Sequence, residues 1–313
     1  MENQVLLLGG SCAAEAGTIS NSHLEPMPTT VASSFNTFYE NINLGGNHRD
    51  TANSRRDNIV SKLSKDFEIV ESFASGSIPK FTALKDHADL DVIVALHYGK
   101  HIKDKTPTEV LESIRKSLSE WKTGGRKNGQ AVTLYYTTWP TVDVVPVSRV
   151  QDSVGNITHY NVPNSNTDTW IASRPKVHAD DIEKRSTTCG ANFRRIIKMI
   201  KEWNRLHGRY LQSYHIEVLA LKVFDSNLDD TGWQVFQFFD KARPLLNTIL
   251  WHDLGFADDY LSSNDRTEIC KRFDTAIELS RSAWSLTYGT NNDPKAAITK
   301  WKQLFGERFP VYG

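Results

Sequence analysis

Two aspartates separated by one leucine open an apolar segment, and this pattern limits the fold more than any other feature of the sequence. Asp89 and Asp91 begin the run Asp-Leu-Asp-Val-Ile-Val-Ala-Leu, whose branched apolar residues predict a β-strand. Because side chains alternate along a strand, both carboxylates are expected on one face, with Leu90 and Val92 on the other. Neighbouring carboxylates repel each other, so the pattern favours a cation close by.

A third aspartate and a glycine-serine pair extend the pattern. Asp143 lies in an apolar segment, and Gly76-Ser77 follows a strand predicted over residues 67–74. Three carboxylates on neighbouring strands can hold two Mg²⁺ or Mn²⁺ ions about 4 Å apart, as in enzymes of in-line phosphoryl transfer. Glycine lets backbone amides approach an anion, and the Ser77 hydroxyl can bond a phosphate oxygen. The alternatives are solvated or strand-end aspartates and a helix cap at Ser77.

The order and spacing of these motifs resemble the polymerase-β-type nucleotidyltransferases. Within that superfamily the chain is most similar to the bacterial cyclic-oligonucleotide synthases related to cyclic GMP-AMP synthase, the CD-NTases. The resemblance covers residues 50–225 well and the C-terminal helices loosely, whereas residues 1–30 match nothing. Besides the motifs above it rests on four segments: Val142 to Val147, Trp170 to His178, Ile200 to Asn204 and Ser213 to Glu217.

The resemblance implies a site for metal ions and nucleotides. It makes Asp89, Asp91 and Asp143 the ligands of two Mg²⁺ ions, for which Mn²⁺ can substitute, and lets Asp143 help to activate an attacking ribose hydroxyl. The positions that it implies as nucleotide contacts are Gly76, Ser77, Lys201 and Ser213 for the phosphates, Tyr214 for base stacking and Ser173 for a purine preference. Spacing alone leaves Lys201 a solvated lysine and Ser213 the N-cap of its helix.

The implied activity is template-independent synthesis of a cyclic di- or trinucleotide from ATP, GTP or both, for bacterial anti-phage signalling. The open alternatives are linear oligonucleotide synthesis, modification of RNA or a small molecule, and a catalytically inactive nucleotide sensor. Regulatory or conjugating defence proteins are expected as partners, because some relatives are conjugated to targets through a terminal glycine, as Gly313 would allow.

Composition narrows the class of protein without selecting the activity. The 313 residues carry a formal net charge of zero, which argues against a stable, non-specific nucleic-acid complex. The widely spaced Cys12, Cys189 and Cys270 do not form a zinc ribbon pattern and suit a reducing cytosol. Since no apolar run is long enough to span a membrane, and residues 5–12 read as a weak strand or tail, a cytoplasmic protein is expected.

The layout predicts an α/β fold with two lobes. A polymerase-β-like nucleotidyltransferase lobe with a mixed sheet is expected over residues 1–175, a helical lobe over 176–313, and a ligand cleft between them. Within the first lobe, residues 1–34 are poorly defined and one helix is predicted over 35–66. The remaining predictions are strands over 131–137 and 141–147, and helices beginning at Pro107, Phe193, Ser213 and Pro294.

Overall fold

The computed structural model describes residues 29–45, 47–119, 125–288 and 292–313. Its first part is built on a mixed sheet of seven strands, and its second part is almost entirely helical, as the predicted fold class requires. The strands of this sheet are β1 (Ile69–Ser75), β2 (Leu90–Leu96), β3 (Arg126–Asn128), β4 (Ala131–Leu134), β5 (Val142–Gln151), β6 (Ile157–Asn164) and β7 (Thr169–Ser173).

The helices of the first part are α1 (Val31–Ile42), α2 (Asn47–Leu63), α3 (Tyr98–His101) and α4 (Pro107–Ser119). Those of the second part are α5 (Pro175–Cys189), α6 (Asn192–Leu206), α7 (Ser213–Val223), α8 (Thr231–Leu245), α9 (Ser263–Ser285) and α10 (Pro294–Phe305), with a short hairpin of β8 (Trp251–His252) and β9 (Gly255–Phe256) between α8 and α9. Helices α2 and α4 contact the sheet, whereas α1 packs with the helices of the second part.

The sheet runs in the order β1-β2-β5-β4-β3, and β5 also pairs with β6, which pairs with β7. Strands β2 and β5 are parallel, while the other pairs are antiparallel. The predicted alternation along β2 is confirmed, because Leu90, Val92 and Val94 are fully buried in one apolar cluster. Ile93 and Ala95 belong to a different cluster on the opposite face, so both faces of this strand are covered.

The predicted start of α4 is confirmed in atomic detail. The Glu109 carboxylate accepts a hydrogen bond from the Thr106 backbone N–H at 2.8 Å, and the Thr106 hydroxyl accepts one from the Glu109 N–H at 3.3 Å. This reciprocal pairing satisfies two amide groups that the first helical turn leaves without partners. Pro107 occupies the first helical position, where its missing N–H costs nothing.

The single helix predicted over 35–66 is wrong, because the structure has α1 and α2 there. The chain becomes extended at Asn43, ahead of Gly45, which disfavours helix continuation. Helix α1 also packs away from the sheet, with Phe35 and Phe38 in the apolar cluster of the C-terminal helices. The helical signal was correct for each segment, but periodicity does not reveal which neighbour a helix contacts.

Strands β6 and β7 are absent from the sequence-based predictions, as is the β8–β9 hairpin. The polar stretches within β6 hide its alternation, and its outer half is exposed. By contrast, the prediction for α10 is confirmed: Asp293 caps it by accepting a hydrogen bond from the Ala296 N–H at 2.9 Å, and Trp301 and Phe305 are fully buried.

Within the described residues, no helix is both long and apolar enough to cross a membrane.

Candidate active site

Two of the three predicted aspartates lie side by side on the sheet. Asp91 on β2 and Asp143 on β5 are register partners in the parallel pair, so their side chains leave the same face at the same level. Asp89 directly precedes β2. Burial first, then the charge of Asp143, raises the pKa of the Asp89 carboxyl above its usual range. The charge of Asp143 therefore acts on the carboxyl groups of both Asp89 and Asp91.

Asp91 shows this coupling most strongly. Burial, followed by the charges of Asp143 and Asp89, raises the pKa of its carboxyl from an ordinary 3.8 to about 7, although Lys80 acts in the opposite direction. Asp143 has a fixed orientation, because the Thr133 hydroxyl on neighbouring β4 donates a hydrogen bond to its Oδ1 at 2.5 Å. Buried acidic groups that repel one another are typical of functional sites.

The donor set fits hard divalent cations such as Mg²⁺, which prefer carboxylate oxygens. Gly76 supplies a second sign of a fitted site. Its φ is +75°, and a Cβ at this position would come within 1.7 Å of the Asp91 Oδ2. Among the described residues, no three His, Cys, Asp or Glu side chains stand at distances that would already hold an ion.

The raised pKa of Asp91 predicts how folding stability depends on pH without divalent ions. The folded state keeps the Asp91 proton up to about pH 7, whereas the unfolded chain loses it near pH 4. The free energy of unfolding should therefore fall by roughly 2–4 kcal/mol as the pH rises from about 4 to about 7, and it should change little above pH 7. Urea unfolding in EDTA at pH 5 and pH 8 should show a smaller difference for Asp91→Asn than for the wild type. An equal pH dependence in both proteins would contradict the assignment.

The glycine-serine pair ends β1 and opens the loop between β1 and β2. Ser77 lines a first cavity of about 480 Å³, together with Asp89, Lys201 and Ser213. Arg205 and Arg209 line the same cavity and add cationic groups that the sequence-based reasoning did not select. A cavity of this size suits a nucleotide-sized ligand, and its cations favour an anionic one.

The remaining predicted contacts line a second cavity. Gly76, Ser173 and Tyr214 border this space of about 460 Å³. The Tyr214 ring packs edge-on against His178, with ring centroids 4.7 Å apart. Burial raises the pKa of the Tyr214 phenol to about 12, so the ring is neutral at physiological pH. The predicted nucleotide contacts are thus divided between two cavities that both border the loop between β1 and β2, whereas Asp91 and Asp143 line neither of them.

Ser213 is not the N-cap of α7, contrary to the alternative that spacing left open. Gln212 occupies the cap position without a side-chain hydrogen bond, and Ser213 is the first helical residue. The exposed hydroxyl of Ser213 borders the first cavity. Its place at the beginning of α7 puts it at the positive end of the helix dipole, which favours anions.

Lys201 is not a solvated lysine either, since it is 6 % exposed. Its Nζ lies 2.7 Å from Glu217 Oε1 and 3.1 Å from the Thr82 hydroxyl. Glu217 also binds Lys80 at 2.5 Å and His178 at 2.8 Å through its Oε2. This buried network, which we call the Glu217 network, joins the loop between β1 and β2 to helices α5, α6 and α7.

The Glu217 network carries excess positive charge. Burial would raise the pKa of the Glu217 carboxyl, but Lys201, Lys80 and a hydrogen bond with His178 hold it well below its usual range. One carboxylate therefore faces two lysines, of which Lys201 lines the first cavity and Lys80 the second, although burial lowers the pKa of the Lys201 ammonium group. Sequence reasoning missed Glu217 as a functional residue, although a charged residue inside the apolar run Ile216-Glu217-Val218-Leu219 was a signal for it.

His178 and His215 are both buried and have side-chain partners within the fold. His178 is buried between Glu217 and His252, and its Nδ1 lies 3.1 Å from His252 Nε2. His215 lies 2.9 Å from the Tyr260 hydroxyl, and burial lowers the pKa of its imidazole to about 4. Cys189 and Cys270 are buried free thiols, whereas Cys12 and residues 5–12 lie outside the described residues.

The part of the chain that carries the three aspartates matches a known family. Residues 29–186, half of the chain, match the model of the "Second Messenger Oligonucleotide or Dinucleotide Synthetase" (SMODS) domain. This chain belongs to the SMODS family. The matched residues contain both Asp91 and Asp143 as well as Gly76-Ser77. The resemblance to bacterial CD-NTases is therefore confirmed, and with it a nucleotidyltransferase that makes cyclic oligonucleotides, at the level of the family.

Relatives and solved structures agree with this membership. A probable cyclic nucleotide synthase of Bacillus cereus is 22% identical over 91% of this chain and 99% of its own length. A cyclic AMP-AMP-AMP synthase of Acinetobacter is 22% identical over 77% of this chain and 73% of its own. Escherichia coli CdnC with ATP has a TM-score of 0.71 at 18% identity, covering 88% of this SMODS protein and 98% of CdnC. SMODS nucleotidyltransferases typically use divalent metal ions.

Proposed function

We propose that this SMODS protein joins ATP, with GTP as a second substrate, into a cyclic di- or trinucleotide. The observation that carries the proposal is the register pair of Asp91 and Asp143 beside the Gly76 loop. Acidic groups on one side and the excess positive charge of the Glu217 network on the other suit a triphosphate with its metal ions. Little covalent chemistry is then required of the protein, because positioning and charge neutralisation account for most of the rate.

The proposed mechanism assigns one task to each part of the site. Asp89, Asp91 and Asp143 would hold two Mg²⁺ ions, which when bound activate the acceptor hydroxyl and neutralise charge on the leaving pyrophosphate. Asp143, oriented by Thr133, would help to take the proton of the attacking ribose hydroxyl. That oxygen bonds to the α-phosphorus of the donor, and the bond from this phosphorus to pyrophosphate breaks.

The chain's other residues would bind and orient the donor. Ser77 and the first turn of α7 at Ser213 would bind phosphate oxygens, and Lys201 would add its charge from within the Glu217 network. Tyr214 offers a neutral ring for base stacking, worth about 1–3 kcal/mol for any base. Base preference would then depend on Ser173, which lines the same cavity as Tyr214 and is proposed to favour a purine.

The names of relatives support the substrates and the biological role. Two relatives are cyclic AMP-AMP-AMP and cyclic AMP-AMP-GMP synthases, and another is a CBASS oligonucleotide cyclase of Escherichia coli. We accordingly place this protein in anti-phage signalling. Escherichia coli CdnC forms a complex with HORMA, which supports a regulatory defence protein as a partner here.

A product assay distinguishes the alternatives. The protein is incubated with Mg²⁺ and with ATP and GTP that carry the label on the phosphate that enters the product. The product is then treated with phosphatase and analysed by mass spectrometry. We expect a product that keeps its label, because a cyclic oligonucleotide has no terminal phosphate to remove. A label released by phosphatase would instead indicate linear oligonucleotides, and no product with any activator would favour a nucleotide-sensing protein.

A further inference from the structure

Two lysines of the Glu217 network contact the same carboxylate, but they differ in what else they contact. Lys201 Nζ donates to three acceptors within the fold: Glu217 Oε1 at 2.7 Å, the Thr82 hydroxyl at 3.1 Å and the Thr82 carbonyl oxygen at 3.2 Å. Because an ammonium group has three N–H donors, all those of Lys201 are used. Lys201 therefore has no N–H left for a ligand.

Lys80, by contrast, has donors to spare. Among the described residues its Nζ donates to one acceptor, Glu217 Oε2 at 2.5 Å, which leaves two of its three N–H groups for a ligand. Lys80 belongs to the loop between β1 and β2, its side chain is 10 % exposed, and it lines the second cavity. Its ammonium group therefore favours an anionic group in that cavity.

The acidic site lies beside the same cavity. Ser75, the register partner of Asp91, lines the second cavity together with Gly76 and Lys80. Gly76 is also the residue whose added Cβ would come within 1.7 Å of the Asp91 Oδ2. The charge of Lys80 acts on this site, since it lowers the pKa of the Asp91 carboxyl against the larger effect of burial. A phosphate bound by Lys80 would therefore be close to the acidic site.

Glu217 fixes the position of Lys80, because the two oxygens of its carboxylate bind residues of different cavities. Oε1 accepts hydrogen bonds from Lys201 and Thr82, which both line the first cavity. Oε2 binds Lys80 and His178, which both line the second. Partners on both oxygens of a fully buried carboxylate hold it in one orientation, and Glu217 thereby restricts where the Lys80 ammonium group can lie.

We propose that Lys80 binds a phosphate of the nucleotide in the second cavity, and that Glu217 is a positioning residue that holds Lys80 against that phosphate. This inference rests on the proposed function, in which Tyr214 stacks against a base in the same cavity. Phosphate oxygens accept the two N–H groups that Lys80 has free, and such charge-assisted bonds are among the strong ones. Lys201, whose donors are all used, acts through its charge alone.

Calorimetric titration of the full chain with a non-hydrolysable ATP analogue and Mg²⁺ tests the contact of Lys80. Lys80→Met should weaken binding of the analogue by about tenfold or more, while adenosine, which has no phosphate, should bind as it does to the wild type. The variant should fold, because Glu217 keeps Lys201 as a partner of opposite charge. Lys80→Arg should regain most of the affinity, and Lys295→Met, at an exposed position of α10, should bind the analogue normally.

Initial rates with ATP and GTP test the positioning role of Glu217. Glu217→Gln keeps the shape but turns one acceptor oxygen into an N–H donor that faces other donors. Its kcat should fall by about 10²-fold, because a displacement of about 1 Å has effects of this size. The analogue should still bind within about threefold of the wild type, since losing a carboxylate does not make the cavity less positive.

Two further variants keep this test decisive. If Glu217→Gln does not fold, Glu217→Asp retains the charge on a side chain one carbon shorter, and its kcat should fall by about tenfold. Asp230→Asn is the matched control. Asp230 also accepts three hydrogen bonds but lines neither nucleotide cavity, so its variant should keep the wild-type kcat.

Three results would overturn the inference. The first is equal affinity of Lys80→Met and the wild type for the analogue. The second is an equal loss of adenosine and analogue binding in Lys80→Met, which would indicate a damaged cavity. The third is a folded Glu217→Gln enzyme with the wild-type kcat. A wild type that makes no product would contradict the proposed function instead, and analogue binding that still depends on Lys80 would then support this phosphate contact independently.

Discussion

Asp91→Asn should lower the rate of product formation by at least about 10³-fold. The amide has nearly the same shape as the carboxylate, so the strand pairing of β2 and β5 is kept. It removes one negative charge from a buried position next to Asp143, and a neutral amide oxygen is a poor ligand for Mg²⁺ compared with a carboxylate. Initial rates with saturating ATP and GTP measure the effect.

The matched control is Asp104→Asn. Asp104 is exposed, lies outside the sheet and has a φ of +59°, a conformation that asparagine tolerates. Its variant should synthesise product at the wild-type rate. Thermal unfolding without metal should show that Asp91→Asn is folded and at least as stable as the wild type at pH 8. An Asp91→Asn enzyme as fast as Asp104→Asn would refute the assignment of the metal ligands.

Gly76→Ala should lower the rate by about 10²-fold or more, because displacement of a reacting group by about 1 Å has effects of this size. The new Cβ would overlap the Asp91 Oδ2 at 1.7 Å, so either the Asp91 carboxylate or the loop must move. Either movement separates the phosphate-binding loop from the acidic pair. The loss should appear in kcat at saturating nucleotide and should not be rescued by higher Mg²⁺.

Gly155→Ala separates this steric effect from backbone strain. Gly155 also has a positive φ, +91°, but a Cβ there would meet nothing within 4 Å. The substitution should cost roughly 1–2 kcal/mol of stability, as expected for a left-handed alanine, and leave catalysis unchanged. If both alanine variants lost the same small fraction of activity, Gly76 would matter for its conformation alone and the close contact with Asp91 would be unimportant.

Local patterns in the sequence were sufficient to predict strand β2, which carries Asp91, and the start of helix α4. The alternation along β2 and the capping of α4 depend on neighbours within a few residues, so they could be predicted. The environment of Lys201 could not, because its partners Thr82 and Glu217 are distant in the chain or lie on another helix. Helix periodicity showed an apolar face on α6, but not that the loop between β1 and β2 would cover the lysine.

The proximity of the three aspartates was predictable from the sequence, whereas the arrangement of the predicted nucleotide contacts was less so. The order Gly-Ser, Asp-x-Asp and Asp identified Asp91 and Asp143, whose register pairing follows from two parallel strands. That Ser173 and Tyr214 would border a different cavity from Ser77 and Ser213 depends on side-chain packing between helices and sheet. Such packing is set by many weak, non-local contacts that a single sequence does not display.

The packing of α1 on α10 has a consequence for how the protein is made. Phe35 lies against Trp301 and Phe309, with ring centroids 4.9 and 5.3 Å apart. During synthesis the ribosome produces α1 long before these aromatic partners exist, and closing so large a loop is entropically slow. Helix α1 can pack on α6 and α8 earlier, but its packing is completed only by α10. A nascent chain interrupted before α10 would therefore expose apolar rings of α1 and be subject to chaperones and proteases rather than become an active synthase.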